Sequence, residues 1–167
     1  VGVVERDPGG LAADFLAAIV ESTDDAIFGK DLDGTILSWN PAAERLYGYA
    51  AAEAIGQPVS ILLPVDRSHE MQEILARVRA GERVVHYETR RRRLDGTEVE
   101  VSVTVSPILD RDGSVVGASS IARDVGALHR AEEEYRHRFE RHPSPMWIFD
   151  VSTLRCLAVN EAAVAAD

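Results

Sequence analysis

Between residues 99 and 105, Val99, Val101, Val103 and Val105 alternate with glutamate, serine and threonine. That period-two pattern in a β-branched run predicts a strand with one buried face. Runs at 84–93 and 115–121 flank it across Leu94-Asp95-Gly96 and Arg111-Asp112-Gly113, which makes it the middle strand of a meander. A two-residue turn at Asp95-Gly96 would bring Arg90 and Arg92 onto the valine face. A three-residue loop with Gly96 left-handed pairs Arg93 with Thr97 instead. Val85, Tyr87 and Thr89 then lie beside Val105, Val103 and Val101, while Arg92 meets Glu98 and Arg90 meets Glu100 on the polar face. This register is preferred, because a slip of one residue inverts the faces. The same loop form at 111–113 sets Val115, Gly117, Ser119 and Ile121 on the valine face, where the small Gly117 and Ser119 leave room above the sheet.

Upstream, Leu32-Asp33-Gly34 joins strands predicted at 26–31 and 35–39. It is the third Asp-Gly turn, so the strands number five. Asn40, followed by Pro41, is placed to cap a helix over 42–47 that Gly48 ends. A short helical turn over 50–55 closes at Gly56. Met71, Ile74, Leu75 and Val78 share one face of a further helix that stops at Gly81. Helices inserted at one point of an antiparallel sheet lie together on one of its faces, which is an α+β layer arrangement. Residues 1–6 read as a loose start. Asp7-Pro8 opens an N-terminal flanking helix whose stripe of Leu11, Phe15, Leu16, Ala18, Ile19 and Val20 needs a surface to cover. After Val125, Leu128, Tyr135 and Phe139 recur at helical spacing with Glu132 as a polar break. This C-terminal linker helix fits either a short coiled-coil seam or an amphipathic helix packed on its own domain.

With 167 residues and 46% apolar content, the chain can hold one domain with a core and further pieces. A net charge of −10 repels a polyanion, which argues against nucleic acid as a partner. The single Cys156 excludes an internal disulfide and a multi-cysteine metal site, and suits a reducing cytoplasm. No apolar run approaches the roughly 20 residues of a membrane span, so no membrane contact is expected from this segment; no signal-peptide pattern opens the chain. No Ser-His-Asp set, glycine-rich phosphate loop or metal-ligand spacing is present, and an enzyme is not expected.

The residues Asp31-Leu-Asp-Gly-Thr-Ile-Leu-Ser-Trp-Asn-Pro-Ala-Ala-Glu-Arg-Leu-Tyr-Gly-Tyr49, then Ile55-Gly56, Arg93-Leu-Asp-Gly-Thr97 and Arg123-Asp124-Val125, resemble a PAS domain in their order and spacing. The resemblance covers about residues 15–127. It implies a five-stranded antiparallel sheet with short helices on one face, and a sensor or dimerisation module rather than a catalyst. The ligand pocket it implies lies over Val101, Val103, Val105, Ser119, Ile121 and Tyr87. The relay runs through Asp124 to Leu128, Tyr135 and Phe139. In the family Asp-Ile-Thr often closes the last strand; here Gly126 stands third. The expected partners are a second copy through the flanking helices and a small molecule, and the alternative is a ligand-free interaction scaffold.

The cofactor is left open. Haem is disfavoured, because the position matching the family's haem histidine is Glu70, with His69 turned about 100° away. Covalent flavin photochemistry is disfavoured because Val59 stands where that branch has cysteine and Ser119 where it has glutamine. His86 is read as a surface residue. Residues Arg90 to Arg93 read as cross-strand partners of Glu98 and Glu100 in preference to an anion grip.

A shift of 120 positions lays 27–40 on 147–160 without a gap, matching Leu37 with Leu157, Asn40 with Asn160 and Ala42-Ala43 with Ala162-Ala163. The expected domains are therefore 1–14 as N-terminal segment and helix start, 15–127 as PAS domain, 128–141 as linker helix, and 142–167 as the truncated start of a second PAS domain. A strand pair cannot bury a core alone, so 147–159 is expected to pack on the first domain or on another chain.

Overall fold

A computed structural model describes residues 8–165, with side chains from Gly10 onward. Asp7 and the first six residues, the expected cap and loose start, lie outside the described residues, as does Asp167. The chain divides into two compact units, Val1–Asp124 and Val125–Asp167.

The first unit opens with α1 (Pro8–Ser22), followed by β1 (Ala26–Asp31), β2 (Ile36–Trp39), α2 (Pro41–Tyr47) and α3 (Ala51–Ala54). Two short 3-10 turns lead to α4 (Glu70–Arg79), and β3 (Val84–Arg92), β4 (Glu98–Leu109) and β5 (Val115–Asp124) complete the unit. The strands form one antiparallel sheet in the order β2-β1-β5-β4-β3. Ile36, Tyr47, Leu62, Val78, Val101 and Val105 are among its most deeply buried side chains. The α+β arrangement is the expected one.

Local chemistry sets the turns. Gly34, Gly96 and Gly113 all have φ between 82° and 89°, the left-handed region that the three-residue loops demand. Arg93 N–H donates to Thr97 O at 2.8 Å, as the preferred register requires. Asn40 caps α2 by accepting from Ala43 N–H, and its Oδ1 also accepts from Ile27 N–H. Its Nδ2 donates to Val20 O and Asp25 O, so one side chain ties α1, β1 and α2 together.

Two bulges revise the faces. Tyr87↔Val103, Thr89↔Val101, Arg90↔Glu100 and Arg92↔Glu98 pair as expected, but Val84, not Val85, pairs with Val105. Val85 and His86 together oppose Thr104, one residue too many, and there His86 has φ 50° and Val85 is half exposed. β3 is a sheet edge, where bulges concentrate. Between β4 and β5 the register shifts at Ile108 and Leu109, which pair with Gly117 and Val115 and leave Val116 of β5 as the extra residue. Ala118, Ser120 and Ala122 consequently face the core beside Pro107, Val105 and Val103. The expected placement of Gly117, Ser119 and Ile121 on that face is corrected: they sit on the other one. Gly117 serves close approach rather than pocket space, since a Cβ there would lie 2.6 Å from the Lys30 carbonyl oxygen.

The stripe on α1 covers no surface among the described residues: Phe15, Leu16 and Ile19 are 61–64% exposed. The second unit contains α5 (Gly126–Glu140), a hairpin of β6 (Trp147–Phe149) and β7 (Cys156–Val159), and α6 (Glu161–Val164). Trp147 and Leu157 are more than half exposed.

Candidate functional site

Between the core face of the sheet and the helices lies a cavity of about 30 Å³. Phe28, Tyr47, Leu62, Ile74, Val103 and Val105 give it apolar walls. Lys30, Arg91 and Ser120 also line it.

Lys30 arrives there by strand geometry. Ala26, Phe28 and Lys30 alternate inward along β1, and the third inward position is a lysine. It is 6% exposed; its Nζ donates to Ser120 Oγ at 3.0 Å and stands 5.6 Å from the Phe28 ring centroid. No carboxylate forms an ion pair with it among the described residues. Burial lowers its pKa from the ordinary lysine value to about 8, with the nearby Arg91 charge pushing the same way.

Arg91 pairs with Val99 on the core side of β3 and is likewise buried. Its Nη1 donates to Glu70 Oε2 at 2.7 Å, to Thr89 Oγ1 at 3.2 Å and to Arg90 O at 2.9 Å. Glu70, fully buried at the start of α4, also accepts from Thr89 Oγ1 at 2.8 Å and from Arg67 Nη1 at 3.2 Å. Burial pulls the Glu70 pKa upward, but hydrogen bonds from Arg91 and Thr89 and the charge of Arg91 outweigh it, so the carboxyl is held below its ordinary value. This network fastens α4 to β3. Removing Glu70 would strand the buried charge of Arg91, at a cost of about 3–5 kcal/mol.

Tyr47 is 1% exposed, and burial pushes its hydroxyl pKa up. It packs in an aromatic cluster with Phe28 and Trp39, at ring separations of 6.2 and 5.6 Å. Trp39 Nε1 donates to Tyr49 O at 3.0 Å, so Trp39 is a core residue.

Of the six pocket residues expected from sequence, Val103 and Val105 line the cavity. Val101 is buried in the floor beside it, and Tyr87 packs on the core, half-buried. Ser119 and Ile121 point to the opposite face, and Ser120 takes the place expected for Ser119. Asp124 ends β5, 3.8 Å from Arg93. Leu128, Tyr135 and Phe139 lie on α5; Leu128 and Tyr135 are 59% and 66% exposed, and Tyr135 and Phe139 line a groove with Ile148, Ala158 and Val159. His69 is exposed, and Val59 lines the cavity. Arg90 bonds to Glu98 and Asp66 on the outer face, where solvent screens the charges. Lys30, Arg91 and Ser120 are not among the site residues the sequence predicts; the face of β1 that turns inward is fixed only in the structure.

Comparisons with known proteins agree with this architecture. The signal transduction histidine-protein kinase AtoS of Escherichia coli K12 is 34% identical over 109 residues, covering 65% of this chain and 17% of that protein. The C4-dicarboxylate transport sensor protein DctS of Rhodobacter capsulatus is 36% identical over 133 residues, covering 72% of this chain and 20% of that one. The chain thus spans about a fifth of the length of these relatives. A PAS domain from Colwellia psychrerythraea superposes with a TM-score of 0.64 at 33% identity, over 70% of this chain and 98% of that structure. The family model described as PAS fold matches residues 14–125, the span that holds the sheet, its helices and the cavity, and the chain belongs to the PAS family.

Proposed function

We propose that this chain is the sensory part of a larger signalling protein, in which a small molecule in the cavity changes the packing between sheet and helices. PAS domains in sensor kinases are sensory, non-catalytic modules, and this segment acts as one. The observation that carries the reading is the cavity itself, an apolar chamber holding the polar ends of Lys30, Ser120 and Arg91. Convergent polar groups in an apolar concavity are the usual form of a small-molecule site. β5 contributes Ser120 to the chamber and ends at Asp124, four residues on, so a shift of this strand reaches Asp124 directly. From there it passes into α5, through Leu128, Tyr135 and Phe139.

The exposed apolar residues of α1 and α5 support dimerisation through these flanking helices. Residues 142–167 begin a second unit of the same kind. The setting is the cytoplasm; among the described residues no helix is long and apolar enough to cross a membrane. A ligand-free scaffold is the second reading, favoured by the small size of the cavity.

Native mass spectrometry with a visible absorption spectrum of the purified chain tests the sensor reading. A bound small molecule is expected. A chain at its bare mass, unresponsive to added small molecules in thermal-shift assays, leaves the scaffold. Light scattering on chains ending at residues 127 and 139 tests the helix: the longer one is expected to double in mass, and equal masses remove dimerisation through α5.

A further inference from the structure

Lys30 is the chain's single lysine among 18 lysine and arginine residues. A lone ammonium is thus buried in a sequence that otherwise uses guanidinium for positive charge. Its partners are a hydroxyl and an aromatic ring face, neither of which carries a formal negative charge. Arg91 adds a second positive charge to the same cavity. The buried carboxylate nearby, Glu70, is already engaged by Arg91, Thr89 and Arg67. One positive charge in the chamber therefore lacks its counter-charge, and an uncompensated buried charge is costly.

We infer that the cavity takes a small monovalent anion of carboxylate type, seated among the Lys30 ammonium, the Ser120 hydroxyl and the Arg91 guanidinium. The inference rests on the reading of the cavity as a sensing site. A chamber of about 30 Å³ holds roughly two or three non-hydrogen atoms, which is the size of formate, with acetate reached by a small movement of the lining. The walls of Phe28, Leu62, Ile74, Val103 and Val105 exclude water and strengthen the charge-assisted bonds. The anion would stabilise the protonated amine and return its titration toward the ordinary lysine range.

Because Lys30 is unique, lysine labelled with ¹³C at Cε yields one side-chain signal from the whole chain. Sodium formate is titrated into the full chain at pH 7 and constant ionic strength, with formamide as the neutral isostere. A saturable movement of the Lys30 Cε signal is expected with formate, and at least tenfold weaker binding with formamide. Lys30→Met, checked for folding by circular dichroism, is expected to lose the thermal stabilisation that formate confers, and Ser120→Ala to weaken it severalfold. Equal responses to formate and formamide overturn the inference, as does a folded Lys30→Met that still responds to formate. If formamide binds and formate does not, the anion assignment falls while the sensor reading stands. If neither moves the signal, the anion assignment falls, and the mass-spectrometric test decides the sensor reading separately.

Discussion

The hairpin β1–β2 with Asn40 and the hairpin β6–β7 with Asn160 are built on the same local plan and end in opposite environments. Asn40 and Asn160 have φ/ψ of −87°/167° and −87°/169°. Each Oδ1 accepts from the third residue of its helix and from a second N–H, that of Ile27 in β1 or of Met146 just before β6. Each Nδ2 donates to two upstream carbonyls, Val20 and Asp25 or His142 and Ser144. Asp31 and Asp150 accept turn N–H groups at the same place, and Gly34 and Leu154 supply the left-handed residue. The turn at 150–155 is one residue longer, so the first strands match at a shift of 119 while the second strands keep 120; the ungapped match expected from sequence is corrected by that residue. Yet Phe28, Ile36 and Trp39 are buried, whereas Trp147, Phe149 and Leu157 are more than half exposed. Hydrogen-bond geometry of this kind is local and repeats wherever its residues repeat; burial needs the three further strands that only the first unit has.

The largest expected effect tests that asymmetry. Trp39→Ala should destabilise the first unit by about 3–5 kcal/mol in urea unfolding, while its counterpart Val159→Ala should cost under about 1 kcal/mol. Comparable losses would show that the second hairpin is buried in solution by a partner.

Next in size is the contrast between Lys30 and the matching Phe149. The folded amine titrates near 8 and the unfolded one near the ordinary 10.5. Below pH 8 both are protonated and the folded state carries the whole penalty, up to about 3 kcal/mol. Between pH 8 and 10.5 the unfolded chain binds the extra proton, so stability should rise with pH. Lys30→Met should be more stable at pH 7 and should lose that rise; a flat profile in the unsubstituted chain would refute the assignment.

Asn40→Ala should cost about 2 kcal/mol, since it strands the N–H groups of Ile27 and Ala43. Asn160→Ala should leave the midpoint of the first unit unchanged and speed amide exchange only in residues 142–165. Smallest, Leu154→Gly should relieve the left-handed φ of 55° and slow exchange in the second turn, a gain of about 1 kcal/mol. No change there would mean that the longer turn is not strained.

The alternation of Val99 to Val105, the Asp-Gly loops, the Asn40 cap and the helix stops at Gly48 and Gly81 were all legible in the sequence, because each depends on residues within one turn or one strand. The PAS fold followed from their order. The failures have one cause. An uninterrupted count from Gly113 puts Ser119 and Ile121 on the pocket face, and the bulge at Val116, opposite Ile108 and Leu109, breaks that count. Val85 was misplaced in the same way by the bulge at the edge strand.

By itself the sequence determined where the chain turns and which strands alternate. Only the tertiary structure decided which residues of β5 face the core, because that depends on the bulge where β5 pairs with Ile108 and Leu109 of β4. The same folding brings Lys30, Arg91 and Ser120 around one cavity. Their positions are distant along the chain, and a shift of one residue in either strand would turn the arginine or the serine outward.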